Sequence, residues 1–178
     1  SHGTGCQGMM IDRCSFATAQ GPTPSQNRTV IGCNLNANDV KIRNNRCRFF
    51  RHFAVLGGTS SIISGNHIFQ GDGGAVGPRL AAIVIAVANS RATIEGNYID
   101  NGSIEWTNER EQSPEFTGGF SFAGLSITGN TFLSQSTSPS FNYISVKPYG
   151  TGHFINGLTV TGNNFRLIDG NIDRVEGI

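Results

Sequence analysis

The chain has 178 residues, a formal net charge of +1, 14% charged residues and 24 glycines. That length bounds it to a single domain, 1–178, and the near-neutral charge removes any electrostatic case for nucleic acid or an acidic membrane as a partner. The longest apolar run, Leu80 to Ala88, is far too short to cross a bilayer and reads as a buried strand.

In chain order, six similar strings stand out. They begin with Met9-Met-Ile-Asp-Arg-Cys-Ser-Phe16 and Val40-Lys-Ile-Arg-Asn-Asn-Arg-Cys47. Ser61-Ile-Ile-Ser-Gly-Asn-His-Ile68 and Ala92-Thr-Ile-Glu-Gly-Asn-Tyr-Ile99 follow. Leu125-Ser-Ile-Thr-Gly-Asn-Thr-Phe132 and Leu158-Thr-Val-Thr-Gly-Asn-Asn-Phe165 complete the set. Each has an apolar residue, two spacers, Asn or Cys, one spacer, and an apolar residue. The anchors Cys14, Asn45, Asn66, Asn97, Asn130 and Asn163 are 31, 21, 31, 33 and 33 residues apart. Such a period means that one supersecondary unit is stacked on itself. The units lack a sustained 3.6-residue period and are rich in Gly, Asn, Ser and Thr, so they are not helical. They read as strand, bend, strand. Each circuit then returns one strand spacing higher, about 4.8 Å. Branched apolar residues form inner columns, and the amides form a hydrogen-bonded ladder that serves structure. Gly before Asn suits a corner that needs positive φ.

Between the strings, Gly21 to Ser25 is a loop, and Thr29 to Leu35 resembles the repeat. Cys33 falls too soon before Asn45 to complete a circuit, so that strand belongs to a different face. A further strand is expected in each later circuit at Phe53–Leu56, Leu80–Ala88, Phe120–Phe122 and Asn142–Val146. Insertions at Gln70–Arg79, Asn101–Gly119 and Ser134–Ser140 each start just after a closing apolar residue. They are therefore expected along one edge, where repeat insertions often build a binding face. Four cysteines lack the spacing of a metal site, and Cys14 and Cys47 are expected to pack inward as free thiols. Leu167 to Ile178 alternates like a strand without a polar cap. Open ends of a solenoid need covering, so a longer solenoid chain or a contact with another chain is expected.

The stacked Ile-x-Gly-Asn-x-Ile/Phe strings over residues 8–168 resemble the right-handed parallel β-helix superfamily, which includes pectate lyases, polygalacturonase-like hydrolases, alginate epimerases and phage tailspikes. The resemblance implies an all-β, single-stranded right-handed parallel β-helix of about six coils, with long loops on one edge. It also implies a polysaccharide partner and an extracellular or virion-associated setting. The Asn-Thr-Asp, Asp-Asp, Gly-His-Gly and Arg-Ile-Lys motifs of polygalacturonases do not occur. No Asp-Asp or Asp-x-Asp string offers the calcium cluster of pectate lyases.

The insertion edge is the expected site. Asp72 and Glu105, on loops of successive circuits, form a candidate catalytic pair if they converge to glycosidase spacing, about 5–9.5 Å. Trp106 offers a stiff platform for a sugar face, and Arg79, Glu109 and Arg110 complete a candidate substrate-binding set. The same residues also fit solvated loops, and Asp72 fits a turn. Two functions are expected: a polysaccharide lyase or glycoside hydrolase with a loop-lined cleft, or a non-catalytic glycan-binding or structural module, such as a tailspike or adhesin segment. The second admits a trimer or end-to-end contacts. No metal, cofactor, nucleic acid or membrane is expected.

Overall fold

The computed structural model describes residues 7–18, 29–33, 36–70, 81–107, 121–134, 142–147 and 154–167, and these contain strands, turns and bends but no helix. Each string folds as two short strands around a bend. The first strands form one sheet: β1 (Met10–Asp12), β4 (Lys41–Arg43), β7 (Ile62–Ser64), β10 (Thr93–Glu95), β13 (Ser121–Thr128) and β16 (Phe154–Thr161). The second strands form another: β2 (Ser15–Ala17), β5 (Arg46–Arg48), β8 (His67–Phe69), β11 (Tyr98–Asp100), β14 (Thr131–Ser134) and β17 (Asn164–Leu167). A third sheet holds β3 (Thr29–Cys33), β6 (His52–Leu56), β9 (Ala81–Ile85), β12 (Ser103–Thr107) and β15 (Ile144–Lys147). Every pairing between these strands is parallel.

The registers place like on like. Ile11, Ile42, Ile63, Ile94, Ile127 and Val160 form one inner column. Phe16, Cys47, Ile68, Ile99, Phe132 and Phe165 form a second, closed by Phe132 stacked on Phe165 at 5.1 Å. From the third sheet Cys33, Leu56, Ile85, Trp106 and Val146 face them. Complete burial of one such aliphatic side chain is worth about 1.5–3 kcal/mol, and repetition makes one continuous core.

The bends between the first two sheets share one backbone solution. Arg13, Asn44, Gly65, Gly96, Gly129 and Gly162 have φ of 55°, 57°, 63°, 60°, 63° and 64°. The next residue turns inward as the ladder. At Asn97, Oδ1 accepts the backbone N–H and the Nδ2–H of Asn66, at 3.0 and 2.9 Å. Its own Nδ2 donates to the Ile63 carbonyl and to Asn130 Oδ1, both at 2.9 Å. Both acceptor sites and both donors are used, as a buried amide requires. The same bonds recur at Asn66 and Asn130; at Asn45 the oxygen accepts only the Cys14 N–H, and Asn163 closes the series by donating to Ile127.

Four expectations change. Phe120–Phe122 is not the further strand of its circuit: Phe122 lies on β13 in the first sheet, and the third-sheet strand is Ser103–Thr107. The insertions do not all share an edge. Residues 71–80 and 135–141 both lie between a second-sheet and a third-sheet strand, β8 to β9 and β14 to β15, whereas 108–120 lie between β12 of the third sheet and β13 of the first. Cys14 is exposed, because β1 and β2 are edge strands among the described residues, while Cys33 and Cys47 are buried. Trp106 belongs to a strand instead of a loop, which turns it inward.

Candidate functional site

Glu105 and Trp106 are neighbours on β12, and in a strand neighbours face opposite ways. Trp106 faces the core, 1% exposed; its Nε1–H donates to the Val87 carbonyl at 2.8 Å and its ring meets Phe122 edge-on at 5.1 Å. A satisfied, enclosed indole is not a platform for a sugar. Glu105 faces outward, and its Oε2 accepts from Lys147 Nζ on the adjacent β15 at 2.5 Å. Its nearest charged partner is therefore a cation. Asp72, Arg79, Glu109 and Arg110 lie outside the described residues.

The outer face of the second sheet collects a different set. In each string the residues on either side of the inward one point outward. Arg46 and Arg48 flank Cys47, His67 and Phe69 flank Ile68, and Tyr98 and Asp100 flank Ile99. The registers stack Arg46, His67 and Tyr98 in one column and Arg48, Phe69 and Asp100 in the next. Together Arg46, Cys47, Arg48, His67, Phe69 and Asp100 line an open depression of about 220 Å³. His67 meets Tyr98 edge-on at 4.7 Å, and Phe69 meets Phe49 edge-on at 5.4 Å. Arg166 adds a further exposed guanidinium in the Asp100 column, beyond Leu133.

Electrostatics follow from the stacking. Partial burial first, then the charges of Arg46 and Arg48, lower the pKa of His67, so its imidazole is neutral at pH 7. Burial pushes the Cys47 thiol up to about 12, so it adds no charge beneath the depression. Arg43 pairs with Asp12 at 3.6 Å, but Arg46 and Arg48 enter no ion pair among the described residues. Two guanidiniums, an imidazole and two aromatic rings can grip oxyanions and pack against the apolar faces of pyranose rings. Among the described residues, no three His, Cys, Asp or Glu side chains group as a metal site.

The signal for this face lay in the spacer positions. His67 is legible there as an outward residue, but Arg46, Arg48, Tyr98 and Asp100 become a set only once the strings are laid over one another. Parallel sheets wound around one core, with an internal asparagine ladder, define the class as a parallel β-helix. Comparison with protein-family models, with curated proteins and with solved structures found no match.

Proposed function

We propose that this chain is a polysaccharide-associated parallel β-helix that holds a glycan without cleaving it, on the outer face of the second sheet. The observation that carries this reading is the pair of columns Arg46–His67–Tyr98 and Arg48–Phe69–Asp100, exposed to solvent or partly so. Strand spacing places successive side chains about 4.8 Å apart along the axis, comparable to the length of one pyranose ring, so an extended glycan meets a new residue on each rung. Binding is favoured over hydrolysis because Glu105 is engaged by Lys147 and Trp106 is enclosed. The winding is right-handed with about six coils, in keeping with the strong preference of parallel crossovers for that hand. An extracellular or virion-associated setting suits a protein of this kind.

The test is retention of the chain on a panel of immobilised neutral and acidic polysaccharides, with Tyr98→Ala as the variant. Retention that weakens in the variant, with no new reducing ends or unsaturated products, is expected. Product release from any polymer, or no retention on the whole panel, overturns the reading.

A further inference from the structure

The depression on the second sheet also has a chemical polarity. Arg46 and Arg48 sit two residues apart on β5, so their side chains leave the same side of the sheet about 6.6 Å apart. Neither has a carboxylate partner among the described residues. Two neighbouring like charges without a counter-charge repel each other, an arrangement relieved by a bound anion. From the next rung His67 lies over Arg46 and lines the same space. Two rungs from the arginines, Asp100 supplies a carboxylate to the depression, and its charge keeps an anionic group at the β5 end.

We infer that this face is a proton-linked oxyanion site, which takes the carboxylate or sulfate groups of an acidic glycan between Arg46, Arg48 and His67. The inference rests on the glycan-binding reading above and adds the class of sugar and its control by pH. The groups facing His67 are Arg46 and Arg48 from β5, and Tyr98 and Asp100 from β11; Phe69 on its own strand does not titrate. At neutral pH partial burial, and then the two guanidiniums, disfavour the protonated imidazole. An anion seated between them cancels that repulsion and gives a protonated imidazole a partner. Binding therefore takes up a proton, and by reciprocity a falling pH tightens binding. The near-neutral chain and the short run of cations disfavour a nucleic acid, which needs phosphate contacts along a longer track.

The experiment measures affinity of the full chain for polygalacturonate, dextran sulfate, neutral dextran and single-stranded DNA, at about pH 5.5 and about pH 8, on either side of the ordinary histidine pKa. Acidic glycans are expected to bind at least about tenfold tighter at the lower pH, and neutral dextran to bind weakly at both. His67→Gln should remove the pH dependence and the tighter binding at about pH 5.5, and Arg46→Gln with Arg48→Gln should weaken binding at both. Circular dichroism checks that these outward substitutions leave the fold intact. An NMR titration of the His67 ring should show its pKa rising when dextran sulfate is added. Neutral dextran binding as tightly as the acidic glycans, or acidic glycans binding equally at both pH values, overturns this inference and leaves the glycan-binding reading standing. Failure to bind any sugar overturns both, and retention by DNA alone overturns the ligand class.

Discussion

At the scale of a residue, the ladder shows how one amide can serve as a structural part. Asn97 makes two donor and two accepting contacts inside a dry stack. Removing it leaves two donors of Asn66 unpaired and takes a donor from the Ile63 carbonyl and from Asn130 Oδ1, which keeps only the Asn97 backbone N–H. Each stranded buried group costs about 1–3 kcal/mol before relaxation, so Asn97→Ala should lose about 3–5 kcal/mol. Asn163, half-buried at the end of the series, should lose about 1–2 kcal/mol on the same change. Urea unfolding of the two variants checks the order; equal losses would show that the ladder is not what holds the middle rungs. Ser61 is the opposite case. It occupies the column of Val40, Ala92 and Leu125, fully buried, and its Oγ has no hydrogen-bond partner. Ser61→Ala removes that hydroxyl and should raise stability by about 1 kcal/mol, seen as a higher thermal midpoint.

At the scale of an element, the corners and the strand Ser103–Thr107 mark what local sequence conveys. The corner glycines were legible because positive φ narrows the choice of residue, and Asn44 follows the same rule. Gly96 has φ of 60° and no atom within 4 Å of an added Cβ, so Gly96→Ala should cost only the backbone strain, about 1–2 kcal/mol. At Gly58 an added Cβ would lie 1.9 Å from the Ala37 carbonyl oxygen, so Gly58→Ala must displace backbone and should cost more. Comparing the two unfolding midpoints checks this, and a larger loss at Gly96 would contradict it. Ser103–Thr107 escaped recognition because polar residues surround Ile104 and Trp106 in a long polar stretch. Its alternation of two inward apolar residues was the only trace, and it is too short to outweigh composition.

At the scale of the molecule, titration links the core and the outer face to folding. Cys47 has a pKa raised from 9.0 to about 12, so above pH 9 the unfolded chain releases a proton that the folded chain retains. Its contribution to stability is complete below that point and is lost as pH rises from about 9 toward 12. His67 is lowered from 6.5, so the unfolded chain takes up a proton first as pH falls, and stability declines below pH 6.5 until the folded imidazole also protonates. Urea midpoints across this range should therefore fall on both sides of neutrality. His67→Gln should flatten the acid limb and Cys47→Ala the alkaline one; an unchanged acid limb in the first variant would remove His67 as its source.

The sequence by itself determined the stacking. A period that repeats inward residues one by one leaves a parallel pile as the way to bury them all, and the amides at its bends must then pair with their own kind. Tertiary structure alone decided which outward residues meet. Arg46, His67 and Tyr98 are brought together by register across three rungs, and Glu105 finds Lys147 from 42 positions away. Inward positions are constrained by the cost of burying the wrong group, so they carry a pattern. Outward positions face water and accept many residues, and their neighbours become visible only when the strands are in place.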